Sequence, residues 1–195
     1  MIKEKAVNTG VSMYAVAGWL SILQAVIVIL PKVAVDFLAK FMSISGSNII
    51  QMYTGIHVVG RLLGIFVLFM FLRLLNERHS FHKVDLLIKI LIGCHAAFAL
   101  VGAVGLALNL QVDFLSVLIV ISWVSSLISI IYAIRLLKLE HNLSGLLKPY
   151  AYATIAGGLL GVTLILGEYG RPFIMVSLIL LGMILIRAES EPEYL

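Results

Sequence analysis

With 195 residues, 62% of them hydrophobic and 12% charged, and a mean hydropathy of +1.11, the chain is excluded from the ordinary soluble domains. Its net charge of +4 contains no block of basic residues, so nucleic acid is not an expected partner. The single cysteine, Cys94, rules out an intramolecular disulfide and leaves the redox compartment open.

Six apolar stretches, at 11–30, 48–75, 85–108, 113–137, 149–167 and 172–187, predict one all-α transmembrane domain. The fold class is a polytopic integral membrane helical bundle, because a helix needs about 20 apolar residues to cross hydrocarbon and must satisfy its own backbone there. The first stretch lacks a small-residue cleavage site and reads as a retained span that carries Gln24. After Pro31, Val33, Phe37 and Phe41 recur at helical spacing, as do Lys32, Asp36 and Lys40. This predicts a short amphipathic helix over 32–43 lying in the interface, ended by the Ser43 to Asn48 run.

Span two contains Arg61 near its middle, with His57 one turn earlier on the same face and Gly60 and Gly64 beside it. An ionisable group at that depth is costly and faces the protein interior, either in a packing ion pair or in a ligand site. Three acceptors are candidates for pairing with it: Gln24, Asp113 at the start of span four and Glu168 at the end of span five. A paired Arg61 is structural, whereas an unpaired one suits an anionic substrate or headgroup.

The loop that follows carries His79 and His82, too few ligands for a closed metal site. In span three, His95 stands among Gly93, Ala96, Ala97, Ala99 and Gly102, and with His57 it raises a b-type haem. The two histidines differ by roughly 8 Å in expected height, which favours an ordinary core histidine. Span four presents Ser122, Ser125, Ser126 and Ser129 on one face, a spacing that favours close packing over a hydrated pathway. Asn142-Leu143-Ser144 matches a glycosylation sequon but falls in a loop assigned to the cytoplasm. Tyr150, Tyr152 and Tyr169 read as interfacial anchors. Spans five and six are separated only by Glu168-Tyr169-Gly170-Arg171, with Pro172 expected at a helix start, so they form a hairpin or one bent element. Residues 188–195 read as a short, solvated acidic tail.

A diluted repeat runs through the chain. Trp19-Leu20-Ser21 matches Trp123-Val124-Ser125, Gly60-Arg61-Leu62-Leu63-Gly64 matches Gly157-Gly158-Leu159-Leu160-Gly161, and Ile90-Leu91-Ile92-Gly93 matches Ile179-Leu180-Leu181-Gly182. Taken as real, it implies an inverted pair of three-helix units with Arg61 opposite Gly158, an arrangement found in many transporters. Chance matching among Leu, Ile, Val and Gly is the plainer explanation.

No nucleophile-base set, paired intramembrane carboxylates or phosphate loop is present, so an enzyme has no sequence support. Three classes remain: a transporter-like or ligand-binding bundle centred on Arg61 and His57, a membrane anchor or scaffold subunit of a larger complex, and a haem- or quinone-binding electron-transfer subunit. Expected partners are membrane lipids, with further membrane subunits or a second copy. The hydropathy plan alone resembles that of small prokaryotic inner-membrane proteins.

Orientation follows from the basic residues, which are retained on the cytoplasmic side during insertion. Lys3, Lys5, Arg73, Arg78, Lys83, Lys89, Arg135, Lys138, Lys148 and Arg187 gather at one side, against Lys32, Lys40 and Arg171 at the other. Reporter fusions at both ends should therefore report cytoplasm. An external C-terminus would overturn the six-span count or the orientation.

Overall fold

The computed structural model describes residues 12–41, 46–139, 143–163 and 167–190; within these, the side chains of 29–41, 111–113, 144, 167–168 and a few helix-end positions fall outside the description. Six α-helices follow in order: α1 (Met13–Phe41), α2 (Gly46–His79), α3 (Asp85–Leu108), α4 (Gln111–Leu136), α5 (Leu147–Val162) and α6 (Gly167–Ser190). A short 3-10 turn, Leu143–Gly145, precedes α5. Each helix packs on its chain neighbours and α1 packs on α6, which closes the six into a ring.

Four segments are long and apolar enough to cross a membrane: Gln51–His79, Asp85–Leu108, Phe114–Leu136 and Tyr169–Ala188. The apolar part of α1 over described side chains, Met13–Val28, is shorter. With 16 residues, α5 rises only about 24 Å against a hydrocarbon thickness of about 30 Å. The sorting of side chains is that of a bundle in an apolar medium. Leu62, Phe69, Leu86, Leu100 and Val120 point outward with more than half of their surface exposed, while Ser21, Gln24, Thr54, Ser125 and Ser177 are buried inside.

Several boundaries differ from expectation. The helix predicted over 32–43 is not separate, because α1 runs unbroken through Pro31 to Phe41. Ending a helix leaves its last four carbonyls without partners, whereas a proline carried through it removes a single backbone donor. Pro172 is likewise not at the start of α6 but inside it. There, near the first turn, it removes few intrahelical bonds. α6 extends to Ser190, so Glu189 and Ser190 are helical rather than part of a solvated tail. The apolar face of 32–43, the Ser43 region, Asn142 of the sequon and residues 191–195 lie outside the described residues or side chains.

The basic end is densely closed. Phe71, Leu74, Leu75, Phe81, Val84, Ile88, Tyr132, Leu136, Leu147 and Leu185 form a continuous core there. Ser80 takes a left-handed conformation at φ 48°, and the Phe81 amide donates back to the Leu75 carbonyl at 3.1 Å, which turns Phe81 into that core. Polar ties hold the helix ends at the rim. Tyr14 donates to Glu77 at 3.2 Å and Arg73 pairs with Glu77 at 2.7 Å. Arg78 lies over the Tyr14 ring and donates to the Ala188 carbonyl, which joins α1, α2 and α6.

Ring closure depends on small residues. A Cβ on Gly18 would meet the Gly182 carbonyl oxygen at 2.6 Å, and one on Gly182 would meet the Gly18 carbonyl at 2.6 Å. One turn along, Ser21 donates to the Leu178 carbonyl at 2.7 Å. Gly93 is different: it is exposed, and nothing lies within 4 Å of the position of its Cβ. The third pair of repeat segments, ending in Gly93 and Gly182, therefore stands in unlike surroundings, and the inverted repeat loses one of its three supports.

Alanine at Gly18 or Gly182 should lower stability by about 1 to 3 kcal/mol, because backbone rather than a flexible side chain obstructs the new methyl. Alanine at Gly93 should be neutral or stabilising by up to about 1 kcal/mol. Thermal unfolding of the detergent-solubilised protein measures all three.

Candidate functional site

Tyr53, His57 and Arg61 recur every four residues and so form one stripe along α2, which continues through Gly64 and Leu68. The ring of helices turns this stripe inward. A partly enclosed cavity of about 560 Å³ lies at the axis, lined by these five residues, by Gln24 of α1, His95 and Phe98 of α3, Ser122, Ser125, Ser126 and Ser129 of α4, and Arg171 of α6. Gly157, Gly158 and Gly161 of α5 form a low wall facing them.

The floor lies toward the basic end. Tyr132 and Tyr150 are both buried, their hydroxyls are 3.2 Å apart and their rings meet edge to face at 6.4 Å. Phe71 packs edge-on against Tyr150 at 5.8 Å. Tyr150 is thus a floor residue, contrary to the interfacial anchor expected, whereas Tyr152 and Tyr169 are exposed. Tyr150 ends the first turn of α5, where Phe71 of α2 and Tyr132 of α4 meet it, and that meeting cannot be read from its position near a span edge.

Above the floor the cationic groups gather. The Arg61 guanidinium carbon sits 4.6 Å from the centroid of the Phe98 ring, a cation–π contact. Phe98 also faces His57 at 6.5 Å. Tyr53 packs on His57 at 4.4 Å between ring centroids, and its hydroxyl accepts a hydrogen bond from Arg171 at 2.9 Å. His57 therefore lies within the field of both Arg61 and Arg171.

The expected acceptor for Arg61 does not materialise among the described residues: no carboxylate, carbonyl or amide oxygen bonds its guanidinium there. The side chains of Asp113 and Glu168 lie outside the described set. Gln24 does line the cavity, but its Oε1 is buried without a partner, as are His57 Nε2 and His95 Nδ1. Buried polar atoms are paired in the great majority of cases, so Gln24 Oε1 and His57 Nε2 at one cavity mark a place that receives polar atoms from a bound molecule or from water.

Gly64 brings the side chains of His95 and Gln24 together. Its Cβ would lie 2.5 Å from His95 Nδ1 and 2.9 Å from Gln24 Nε2, so α1 and α3 both press side chains onto bare α2 backbone. His95 belongs to this crossing.

One serine of the α4 stripe is committed to the backbone. Ser126 donates to the Ser122 carbonyl at 3.0 Å, and the Thr154 and Ser177 hydroxyls facing the same space donate to Tyr150 at 2.8 Å and Ile174 at 2.7 Å. A Cβ on Gly161 would meet Ser126 Oγ at 2.8 Å and one on Gly158 the Ser126 carbonyl at 3.2 Å, so α4 and α5 are in close contact. The C-terminal carbonyl of α5, Val162, accepts from Trp123 Nε1 at 3.1 Å.

The sequence reading assigns Arg171 to the loop charges and does not single out Tyr53, Thr54, Ser177 or Phe98, all of which line the cavity. The i−4 relation of Tyr53 to His57 is the one local signal that points to any of them. No protein family, curated protein or solved structure matches this chain.

Alanine at Gly64 should cost about 1 to 3 kcal/mol of stability by displacing His95 and Gln24. Combined with His95→Ala it should cost less than the sum of the two changes. A thermal-unfolding double-mutant cycle measures the difference, and simple additivity would dissociate Gly64 from His95.

Proposed function

We propose that the chain is a small polytopic membrane protein of the transporter type that binds an anionic small molecule in its central cavity. In this reading all six helices are membrane crossings, the short α5 among them, and the closed basic end faces the cytoplasm. Arg61 carries the proposal. Midway along a long apolar helix it faces the cavity, and its recorded partner among the described residues is an aromatic ring rather than an acid. A guanidinium kept at that depth, at a cost of about 2.5 to 3.5 kcal/mol on the insertion scale, is suited to a carboxylate or phosphate that supplies the missing acceptors.

Supporting groups surround it. Arg171 and Tyr53 add a second cation and a hydroxyl, while His57 Nε2 and Gln24 Oε1 extend the choice of hydrogen bonds. A cavity sealed on one side by the Tyr132–Tyr150 contact has the form of one state of an alternating-access carrier. The scaffold and haem classes draw no comparable support from the geometry, since His95 Nδ1 is turned onto Gly64 at a helix crossing.

The test uses purified protein with benzoate, inorganic phosphate and octanoate as anionic probes and octylamine as the cationic control. At least one anion should raise the unfolding temperature, and octylamine should not. R61Q should weaken that binding tenfold or more, and R61K should retain part of it because a point charge replaces a planar fork. Equal binding of octylamine, or R61Q binding as the wild type does, would overturn the proposal. A Soret band in the purified protein would instead support the electron-transfer class.

A further inference from the structure

The cavity is not uniform along its length, and the division is what identifies the ligand. Its cationic and polar groups, Arg61, His57, Tyr53 and Arg171, stand on the side away from the floor. From Arg61 toward the floor no acidic or basic chain of the Arg, Lys, Asp or Glu type lines the cavity; Val67, Leu68, Leu91, Leu178 and Leu181 stand there with Gln24, His95, Ser125 and Ser129 above the Tyr132–Tyr150 pair. Ser125 and Ser129 contribute hydroxyls to that stretch, and the other three there are engaged. Ser126, Thr154 and Ser177 are each bonded to a carbonyl of their own helix at 3.0, 2.8 and 2.7 Å, which leaves them little to offer a ligand.

A small inorganic anion would use only the cationic part and leave the apolar part without a function. A cavity of about 560 Å³ is also within the range of about 300 to 1,000 Å³ that holds a whole organic ligand. The geometry points to a single-chain anionic amphiphile, a medium-chain alkyl carboxylate or phosphate monoester, bound with its headgroup on Arg61 and Arg171 and its alkyl chain directed down to the tyrosine floor. This rests on the anion site proposed above and adds the chain, its direction and its length. Arg61 and Leu68 are seven residues apart on α2, a rise of about 10 Å, so the space below the guanidinium holds an octyl to decyl chain and no more.

Trp123 provides the reporter. It lines the cavity, and the only other tryptophan, Trp19, lies on α1 with 64% of its surface exposed, so W19F leaves a single probe at the site. Alkyl carboxylates from acetate to palmitate are titrated against W19F in non-ionic detergent and read by Trp123 emission and by thermal shift. Affinity should rise about fourfold for each added methylene, the transfer value for a buried methylene, and level off between octanoate and decanoate. Octanol and octyltrimethylammonium should bind at least tenfold more weakly than octanoate. R61Q should weaken octanoate tenfold or more, while S129F, which fills the deep part from α4, should move the plateau to shorter chains.

The wild-type chain-length series stands whether or not either variant folds. Acetate or phosphate binding as tightly as octanoate, or affinity rising without a plateau through palmitate, would overturn the amphiphile while the anion site stands. Octanol matching octanoate would overturn the role of the charge. Failure of every anion to bind would remove the anion site and the amphiphile together.

Discussion

Everything in the bundle depends on the contact that joins its first helix to its last. Helices in an apolar medium gain little by hiding leucines from lipid, so they associate through close packing and interhelical hydrogen bonds. The α1–α6 seam has both in one short stretch. Gly18 and Gly182 each leave no space for a side chain against the carbonyl of the other, and Ser21 reaches the Leu178 carbonyl at 2.7 Å. With this seam the six helices form a ring with an inside. Without it they would be a chain of neighbouring pairs, and Arg61 would have no interior to face.

Once there is an interior, the division between its ends follows from the composition of the helices. Toward the basic end, large aliphatic and aromatic side chains from α2, α3, α4, α5 and α6 fill the axis. Toward the other end the axis receives small and polar residues, Gly60, Gly64, Gly157, Gly158, Gly161 and the serines of α4, which cannot fill it. Those glycines let neighbouring helices approach closely around the cavity, and its charge comes from Arg61 on the α2 stripe together with Arg171 on α6. Stability and binding thus compete at Ser129, where a larger apolar side chain would enter the space proposed for a ligand.

Much of this was legible in the residues, and the rest was withheld for physical reasons. The periodicity that placed α3 at 85–108 coincides with Asp85–Leu108, because charge at one end and a left-handed Asn109 at the other bound a run with no competing signal. Pro31 misled, because the rule that proline ends helices presumes water to satisfy the freed carbonyls. Tyr150 misled in another way: an aromatic residue near a span edge looks like an anchor whenever its neighbours in space are unknown. Arg171 looked like a loop charge, and its hydrogen bond to Tyr53 crosses 118 positions of sequence.

The sequence by itself determined that the chain is a bundle of apolar helices, roughly where α2, α3 and α4 begin and end, and that Arg61 and His57 share a face, since hydropathy and the 3.6-residue period are local properties. Only the tertiary structure decided that α1 meets α6, that Tyr132 and Tyr150 close one end, and that Arg61 rests on Phe98 without an acid among the described residues. Those outcomes depend on which helix faces approach one another, and among sequences built from Leu, Ile, Val and Gly the faces differ by a methyl group here and a glycine there. Such differences act through contact distances of a few ångströms between residues far apart in the chain, which no local pattern encodes.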